Sequence, residues 1–268
     1  MYRGFNVTIN SYVRQLGLNE EYYQLGSDIF NKDKRFIKSA LEEMILKDGT
    51  LDGTKLQEQW FPLIEADLFI SHSHKNEETA IILAGYLLKN FGIRSFIDST
   101  VWSYSNDLLK QLDNEYCRNK GENTYSYHKR NFSTSHVYLM LSGALSKMID
   151  NTECVFFLNT PDSIKPDKVI DSTLSPWIYS EILTTQFIRK RAPSVHPARK
   201  HRLVKGYSQG GQILNESQLA VTYEVEMSHL TSISFDIFKT WLSKSRKEEY
   251  KLDALYKMYP LEKEVING

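Results

Sequence analysis

The chain has 268 residues, of which 41% are hydrophobic and 25% charged, so it carries enough apolar side chains to bury a globular core. Its 33 Lys and Arg balance its 33 Asp and Glu, which excludes a whole-chain basic field for nucleic acid. Two cysteines make neither a disulfide framework nor a zinc cluster, and the most apolar run, residues 81–88, is far shorter than the ~20 residues that span a bilayer. We therefore expect a cytoplasmic protein with no nucleic-acid or membrane partner and no bound metal.

Residues 1–62 predict an N-terminal helical extension. Apolar residues recur at helical spacing between Phe36 and Ile45, with Lys and Glu on the other face. The pairs Asp48-Gly49 and Asp52-Gly53 mark turns, and Pro62 closes the region. This segment is too small to fold alone, so we expect it to pack on the domain that follows.

Residues 63–243 alternate between strand and helix patterns, which is typical of a parallel sheet covered by helices on both sides. A polar insertion with one helix of its own interrupts the pattern at about 99–132, and a charged tail follows at 244–268. The predicted strands are 67–71, 94–98, 154–158 and 220–227, and the predicted helices are 77–91, 107–116, 133–148, 175–189 and 235–242.

Polar residues follow the predicted strands where a ligand is expected. In an open parallel sheet, ligands bind beyond the carboxyl ends of the strands, where the strand order reverses. Ser71, His72 and Ser73 follow the first strand, and Asp98 ends the second. His72 and His74 do not suggest zinc, because zinc sites need three or four ligands and no Cys/His cluster accompanies them.

Trp177 and Glu181 are four residues apart in a helix that begins at Ser175-Pro176, so their side chains share a face. An indole beside a carboxylate desolvates it and raises its pKa, while offering a flat surface to a heteroaromatic ring. A carboxylate placed there can stabilise the oxocarbenium-like centre of a glycosidic cleavage. The alternative is a surface carboxylate beside an indole that belongs to the core.

Three motifs in order resemble the Toll/interleukin-1 receptor (TIR) domain. Residues 67–73 match its first strand and loop, Phe96-Ile97-Asp98 its second strand, and 175–181 its Trp-x-x-x-Glu helix. The resemblance covers about residues 64–242 and is closest to bacterial TIR proteins of anti-phage defence, of the Thoeris type. It implies a flavodoxin-like five-stranded parallel sheet flanked by helices. The insertion at 99–132 is longer than the family's usual loop and helix.

The resemblance also implies hydrolysis or cyclisation of NAD, which is a substrate here and not a cofactor. Glu181 is the expected catalytic residue. The expected substrate-binding residues are Ser71, His72, Ser73, Phe96, Asp98, Trp102, His136 and Trp177. The product is left open between ADP-ribose, a cyclic ADP-ribose isomer and a base conjugate, which either depletes NAD or signals to a separate effector protein. Self-association through TIR surfaces is a further expectation.

Two other functions are compatible with the sequence. One is a non-enzymatic TIR scaffold that only assembles with other TIR domains, and the other is nucleoside deoxyribosyltransferase-like chemistry on a related fold. Gly206, Gly210 and Gly211 fit neither the dinucleotide fingerprint nor the P-loop spacing, so NAD recognition must differ from that of a dehydrogenase. The basic run at 189–202 is either a solvated loop or an attractor for an anionic ligand.

Overall fold

Five parallel strands form the centre of the fold in this computed structural model, which describes residues 1–8, 20–33, 44–48, 50–119, 121–160, 172–173, 175–199 and 222–261. The strands of the main sheet are β1 (Arg3–Thr8), β2 (Leu68–Ser71), β3 (Ser95–Ile97), β4 (Cys154–Asn159) and β7 (Thr231–Ser234). A separate antiparallel pair consists of β5 (Ser172–Thr173) and β6 (Tyr223–Glu224). The described helices are α1 (Glu20–Asp33), α2 (Gly53–Trp60), α3 (Glu77–Phe91), α4 (Ser99–Leu112), α5 (Tyr127–Asn151), α6 (Pro176–Phe187), α7 (Ile237–Ser245) and α8 (Lys251–Met258).

The main sheet has the strand order β3-β2-β4-β1-β7, and every neighbouring pair is parallel. Nearly all residues of β1 to β4 are buried, as parallel strands covered on both faces must be. One core contains Phe5 and Phe156 and packs against α3, α7 and α8, while a second contains Phe69 and packs against α2, α4 and α5. The predicted five-stranded parallel sheet flanked by helices is confirmed.

The first residues of the chain form a sheet strand, which corrects the prediction that residues 1–62 are a helical extension. β1 lies between β4 and β7, and Phe5 pairs in register with Phe156 on one side and Thr231 on the other. Its apolar residues are too few to show a pattern, and its partners lie far away in the sequence. Helices do follow at α1 and α2, while most of the predicted helix at 36–45 lies outside the described residues.

The last strand of the sheet also differs from the prediction of a strand at 220–227. Within the described part of that range, only Tyr223–Glu224 is strand, and it pairs with Ser172–Thr173 outside the main sheet. Val225 and Met227 are apolar for a different reason, because they pack in a small core against the inner face of α6. The edge strand of the sheet is β7.

The predicted polar insertion at 99–132 is mainly helical. Asp98 caps α4 directly after β3, and Leu108 and Leu112 bury the apolar side of that helix. A five-residue π-helix at Asp113–Cys117 and an isolated antiparallel β-bridge between Arg118 and Tyr125 lead into α5. That helix begins at Tyr127, before the predicted start at residue 133. The sequence pattern does not reveal the earlier start, because the first turns are solvent-exposed and show no apolar period.

The charged tail predicted at 244–268 is ordered over its first part. α8 buries Leu252 and Leu255 against the core, and Trp241 on α7 donates its indole N–H to the carbonyl of Lys251 at 2.8 Å. Residues 262–268 lie outside the described part of the chain. None of the helices in the described ranges is long and apolar enough to cross a membrane.

Two glycines allow α1 to lie close against α3. An ideal Cβ at Gly85 would lie 1.8 Å from the carbonyl oxygen of Tyr22, and one at Gly26 would lie 1.9 Å from that of Ile81. Both distances are far inside van der Waals contact, and the obstacles are backbone atoms that cannot rotate away. Only glycine at these positions permits this helix crossing.

We predict that Gly85→Ala destabilises the protein by about 2–3 kcal/mol, because the overpacking cost exceeds the roughly 1 kcal/mol that alanine gains in a helix. Urea denaturation followed by circular dichroism measures the change. The control is Gly53→Ala, whose Cβ would meet only the methyl group of Met140 at 3.7 Å. Equal stabilities for the two variants would contradict the close crossing.

Candidate active site

A buried polar cluster lies at the carboxyl ends of β2 and β3. Ser71 is the last residue of β2, Asp98 follows β3, and Glu181 reaches the same place from the second turn of α6. The chain passes from β2 outward to β3 and then returns to β4 on the other side of β2, so the strand order reverses here. This is the position at which open α/β sheets bind ligands.

Local sequence fixes the direction of α6. Ser175 caps the helix by accepting a hydrogen bond from the N–H of Ile178 at 3.3 Å, and Pro176 occupies its first position. Ile178 and Ile182 are buried against Phe157 of β4. These contacts turn the inner face of the helix towards the sheet, and Glu181 on that face is only 2% exposed.

Glu181 is held by a short hydrogen bond from the strand end. The hydroxyl of Ser71 donates to Glu181 Oε2 at 2.5 Å. Burial raises the pKa of Glu181 well above its usual range, and the neighbouring Asp98 raises it further, whereas the Ser71 hydrogen bond lowers it. The two larger effects therefore favour the protonated form of the Glu181 carboxyl group.

Two backbone N–H groups stabilise the charged form of Asp98. Asp98 accepts hydrogen bonds from the N–H of His72 at 3.2 Å and that of Ser99 at 2.7 Å, and its Oδ1 lies 2.5 Å from His72 Nδ1. Burial lowers the pKa of His72 to about 4, so its imidazole is neutral beside Asp98.

Asp98 and Glu181 interact directly and cannot both ionise in this buried place. Burial is the main cause that raises the pKa of Asp98 as well, while a hydrogen bond from Glu181 lowers it. One proton therefore serves the pair, and the two backbone donors to Asp98 favour the arrangement in which Glu181 holds it. The arrangement is a carboxylic acid poised beside a carboxylate.

A second set of hydrogen bonds ties the loop after β2 to the end of β4. The side-chain amide of Asn76 donates to Ser73 Oγ at 2.6 Å and to Thr160 Oγ1 at 2.9 Å. Ser73 is 7% exposed and precedes the short 3₁₀ turn His74–Asn76. The sequence analysis missed Asn76, whose position just before a helix is the signal that could have pointed to it.

Four of the predicted substrate-binding residues lie apart from this cluster or outside the description. Phe96 is 0% exposed, and the centre of its ring lies 5.4 Å from that of Phe69 in the core. This position follows from its place on a strand that is buried on both faces. Trp177 is half-buried and meets Tyr138 edge-to-face at 5.5 Å. His136 is exposed in the middle of α5, and the side chain of Trp102 lies outside the described part.

The structure thus brings together Ser71, His72, Asp98 and Glu181, with Ser73 in the adjoining loop. His72 and Asp98 are 0% exposed, so they do not touch a ligand directly and act on it through Glu181 and the loop after β2. Among the described residues, no group of three or more His, Cys, Asp or Glu side chains is arranged to hold a metal ion. The chemistry available here is that of a carboxyl group with a raised pKa.

We predict that Glu181→Gln removes a pH dependence of stability. The folded protein holds a proton on Glu181 that the unfolded chain releases above the usual carboxyl range, so wild-type stability falls as pH rises. The glutamine amide donates to Asp98 without that proton. The free energy of unfolding of wild type should therefore fall relative to the variant by up to about 1.4 kcal/mol per pH unit as the pH rises above the usual carboxyl range.

Urea denaturation at several pH values measures this difference. Glu58→Gln, on the exposed surface of α2, is the matched control and should run parallel to wild type. A Glu181→Gln curve that also runs parallel to wild type would mean that Glu181 is ionised in the folded state.

Comparison with known proteins does not assign a family. No protein-family model, curated protein or solved structure matches the chain. The TIR resemblance therefore stays a prediction from three sequence motifs, and the functional argument rests on the geometry of the cluster around Glu181.

Proposed function

We propose that the protein cleaves the nicotinamide–ribose bond of NAD, with Glu181 as the catalytic residue. The observation that carries the proposal is the burial of Glu181 beside Ser71 and Asp98 at the carboxyl edge of a parallel sheet. Burying two carboxyl groups together costs stability, and such perturbed groups concentrate at functional sites. The TIR resemblance supplies the substrate, because it predicts NAD cleavage and the same glutamate.

The charge of the substrate explains how a protonated Glu181 becomes useful. The nicotinamide ring of NAD is cationic, and it leaves as a neutral molecule while positive charge develops on the ribose. A cation placed beside Glu181 lowers its pKa and favours the carboxylate. When the cationic substrate binds, Glu181 therefore loses its proton. The resulting carboxylate then stabilises the oxocarbenium-like centre.

The neighbours of Glu181 act on its position and charge. Ser71 holds one carboxylate oxygen, and the neighbouring Asp98 raises the pKa of Glu181. Water attacking the ribose would give ADP-ribose, an adenine nitrogen a cyclic isomer, and another base a conjugate. Because Glu181 is 2% exposed, substrate binding requires movement of the side chains that cover it.

A second candidate is the non-enzymatic assembly scaffold, which exposed apolar side chains favour. Phe132 and Leu139 on α5 are each 71% exposed, and Phe187 at the end of α6 is 79% exposed. Exposed apolar patches mark interaction surfaces. This function needs those surfaces and is independent of Glu181, which separates the two candidates experimentally.

We predict that the protein releases nicotinamide from NAD and that Glu181→Gln lowers the rate by about 10²–10⁴-fold, as loss of a positioned acid–base group does. Chromatography with mass spectrometry measures nicotinamide and identifies the second product. Glu58→Gln is the control and should retain the wild-type rate. The assay is run at high and low protein concentration and in lysate from phage-infected cells, so that a missing trigger is supplied. Absence of release in every condition would favour the scaffold.

We also predict that kcat/KM rises with pH as Glu181 ionises, and that Ser71→Ala moves this rise to higher pH. The Ser71 hydrogen bond lowers the pKa of Glu181, so its removal raises that pKa. We expect kcat/KM to fall about tenfold at neutral pH, the effect of losing one hydrogen bond to a charged group. Ser135→Ala is the control, since that exposed hydroxyl bonds only the carbonyl of Asn131. Unchanged pH profiles for Ser71→Ala would remove Ser71 from the mechanism.

A further inference from the structure

A cavity of about 650 Å³ lies on a different face of α5 from the one that contacts α6. It is enclosed by the start of α2, the turn that precedes α2, the end of α4 with the π-helix that follows it, and α5. The residues lining it are Thr50, Leu51, Gly53, Leu56, Leu112, Tyr116, Cys117, Lys129, Phe132, Ser133, His136 and Met140. Its volume falls in the range of about 300–1,000 Å³ that is typical of small-molecule sites.

The cavity wall is mainly apolar. Leu56 and Leu112 are buried at 1% and 5% exposure and form the inner part, while Leu51 and Met140 are half-buried around them. Phe132 is 71% exposed, so its ring stands at the opening. A hydrocarbon chain or an aromatic ring entering this space would remove apolar surface from water on both partners.

The polar groups at the opening favour a negative charge. Lys129 and His136 are seven residues apart on one face of α5, so both reach the same opening. None of the described residues that line the cavity carries a carboxylate. The nearby Asp113 is 5% exposed and already accepts hydrogen bonds from Arg130 at 2.8 Å and Ser133 at 2.6 Å.

Lys129 is available to a ligand. Its side chain is exposed, and it forms no ion pair with any carboxylate in the part of the chain that the structure describes. An ammonium group at the mouth of an apolar cavity matches a molecule with an apolar body and one anionic end. The anionic end of such a molecule would lie at Lys129 and its apolar body against the cavity wall, which defines one orientation.

We propose that this cavity binds an amphipathic organic anion, an acyl or aryl chain that ends in a carboxylate. The chain lies on the leucines and Met140, and the carboxylate lies at Lys129. This site is independent of the chemistry at Glu181, because no residue of the buried carboxyl cluster lines it.

The test measures binding of decanoate and of decanol, which share a chain and differ in charge. Both ligands are titrated against the full-length protein by displacement of the fluorescent probe anilinonaphthalene sulfonate. We expect decanoate to bind more tightly than decanol. Lys129→Gln should weaken decanoate binding about twofold to fivefold, the effect of losing one exposed ion pair, and should leave decanol binding unchanged. Lys110→Gln, an exposed lysine on α4 outside the cavity, should change neither affinity.

Two further variants place the ligand in the cavity itself. Met140→Trp and Leu51→Trp each fill the space from a half-buried position and should abolish binding of both ligands. Circular dichroism identifies a variant that fails to fold, and the other variant then decides. Equal binding of decanoate and decanol, equal losses for Lys129→Gln and Lys110→Gln, or full binding by a folded filled variant would each overturn the proposal. The NAD assay of Glu181→Gln is unaffected by any of these outcomes.

Discussion

The mutual exclusion of charge between two buried carboxyl groups is the constraint on which the site depends. Asp98 and Glu181 come from separate elements, the end of β3 and the inner face of α6, and they meet where water is excluded. A single shared proton makes that meeting tolerable. The backbone N–H groups of His72 and Ser99 favour charge on Asp98, whereas the Ser71 hydroxyl favours charge on Glu181.

The sequence was sufficient for those parts of the fold in which local pattern and tertiary environment agree. The alternation of strands and helices, the Ser175-Pro176 helix start and the grouping of Ser71, Asp98 and Glu181 at one edge follow from local signals and one rule of sheet topology. What failed depended on distant partners. The sequence of β1 shows no strand pattern of its own, and its place in the sheet depends on pairing with β4 and β7.

Side-chain roles were harder to predict than positions. Phe96 lies only two residues before Asp98, but it is in the middle of β3, a strand that is buried on both faces, so its ring enters the core. His136 was expected near the start of its helix, but the helix begins six residues before the predicted start, at Tyr127, which places His136 in mid-helix beside a different cavity. An error of two turns in a helix boundary thus moved a residue from one site to another.

The interior position of β1 has a consequence for how the protein is made. During synthesis Arg3–Thr8 is made before both of its neighbours in the sheet, and the later of these is Thr231–Ser234. Until then the backbone hydrogen-bonding groups of the strand lack their partners, and Phe5 lacks the core in which it is buried in the folded protein. Pairings between distant parts of a sequence form slowly, because loop closure must precede any contact. β1 therefore cannot complete its pairing until Thr231–Ser234 has been made, and an apolar strand that is unpaired in this way is prone to aggregation.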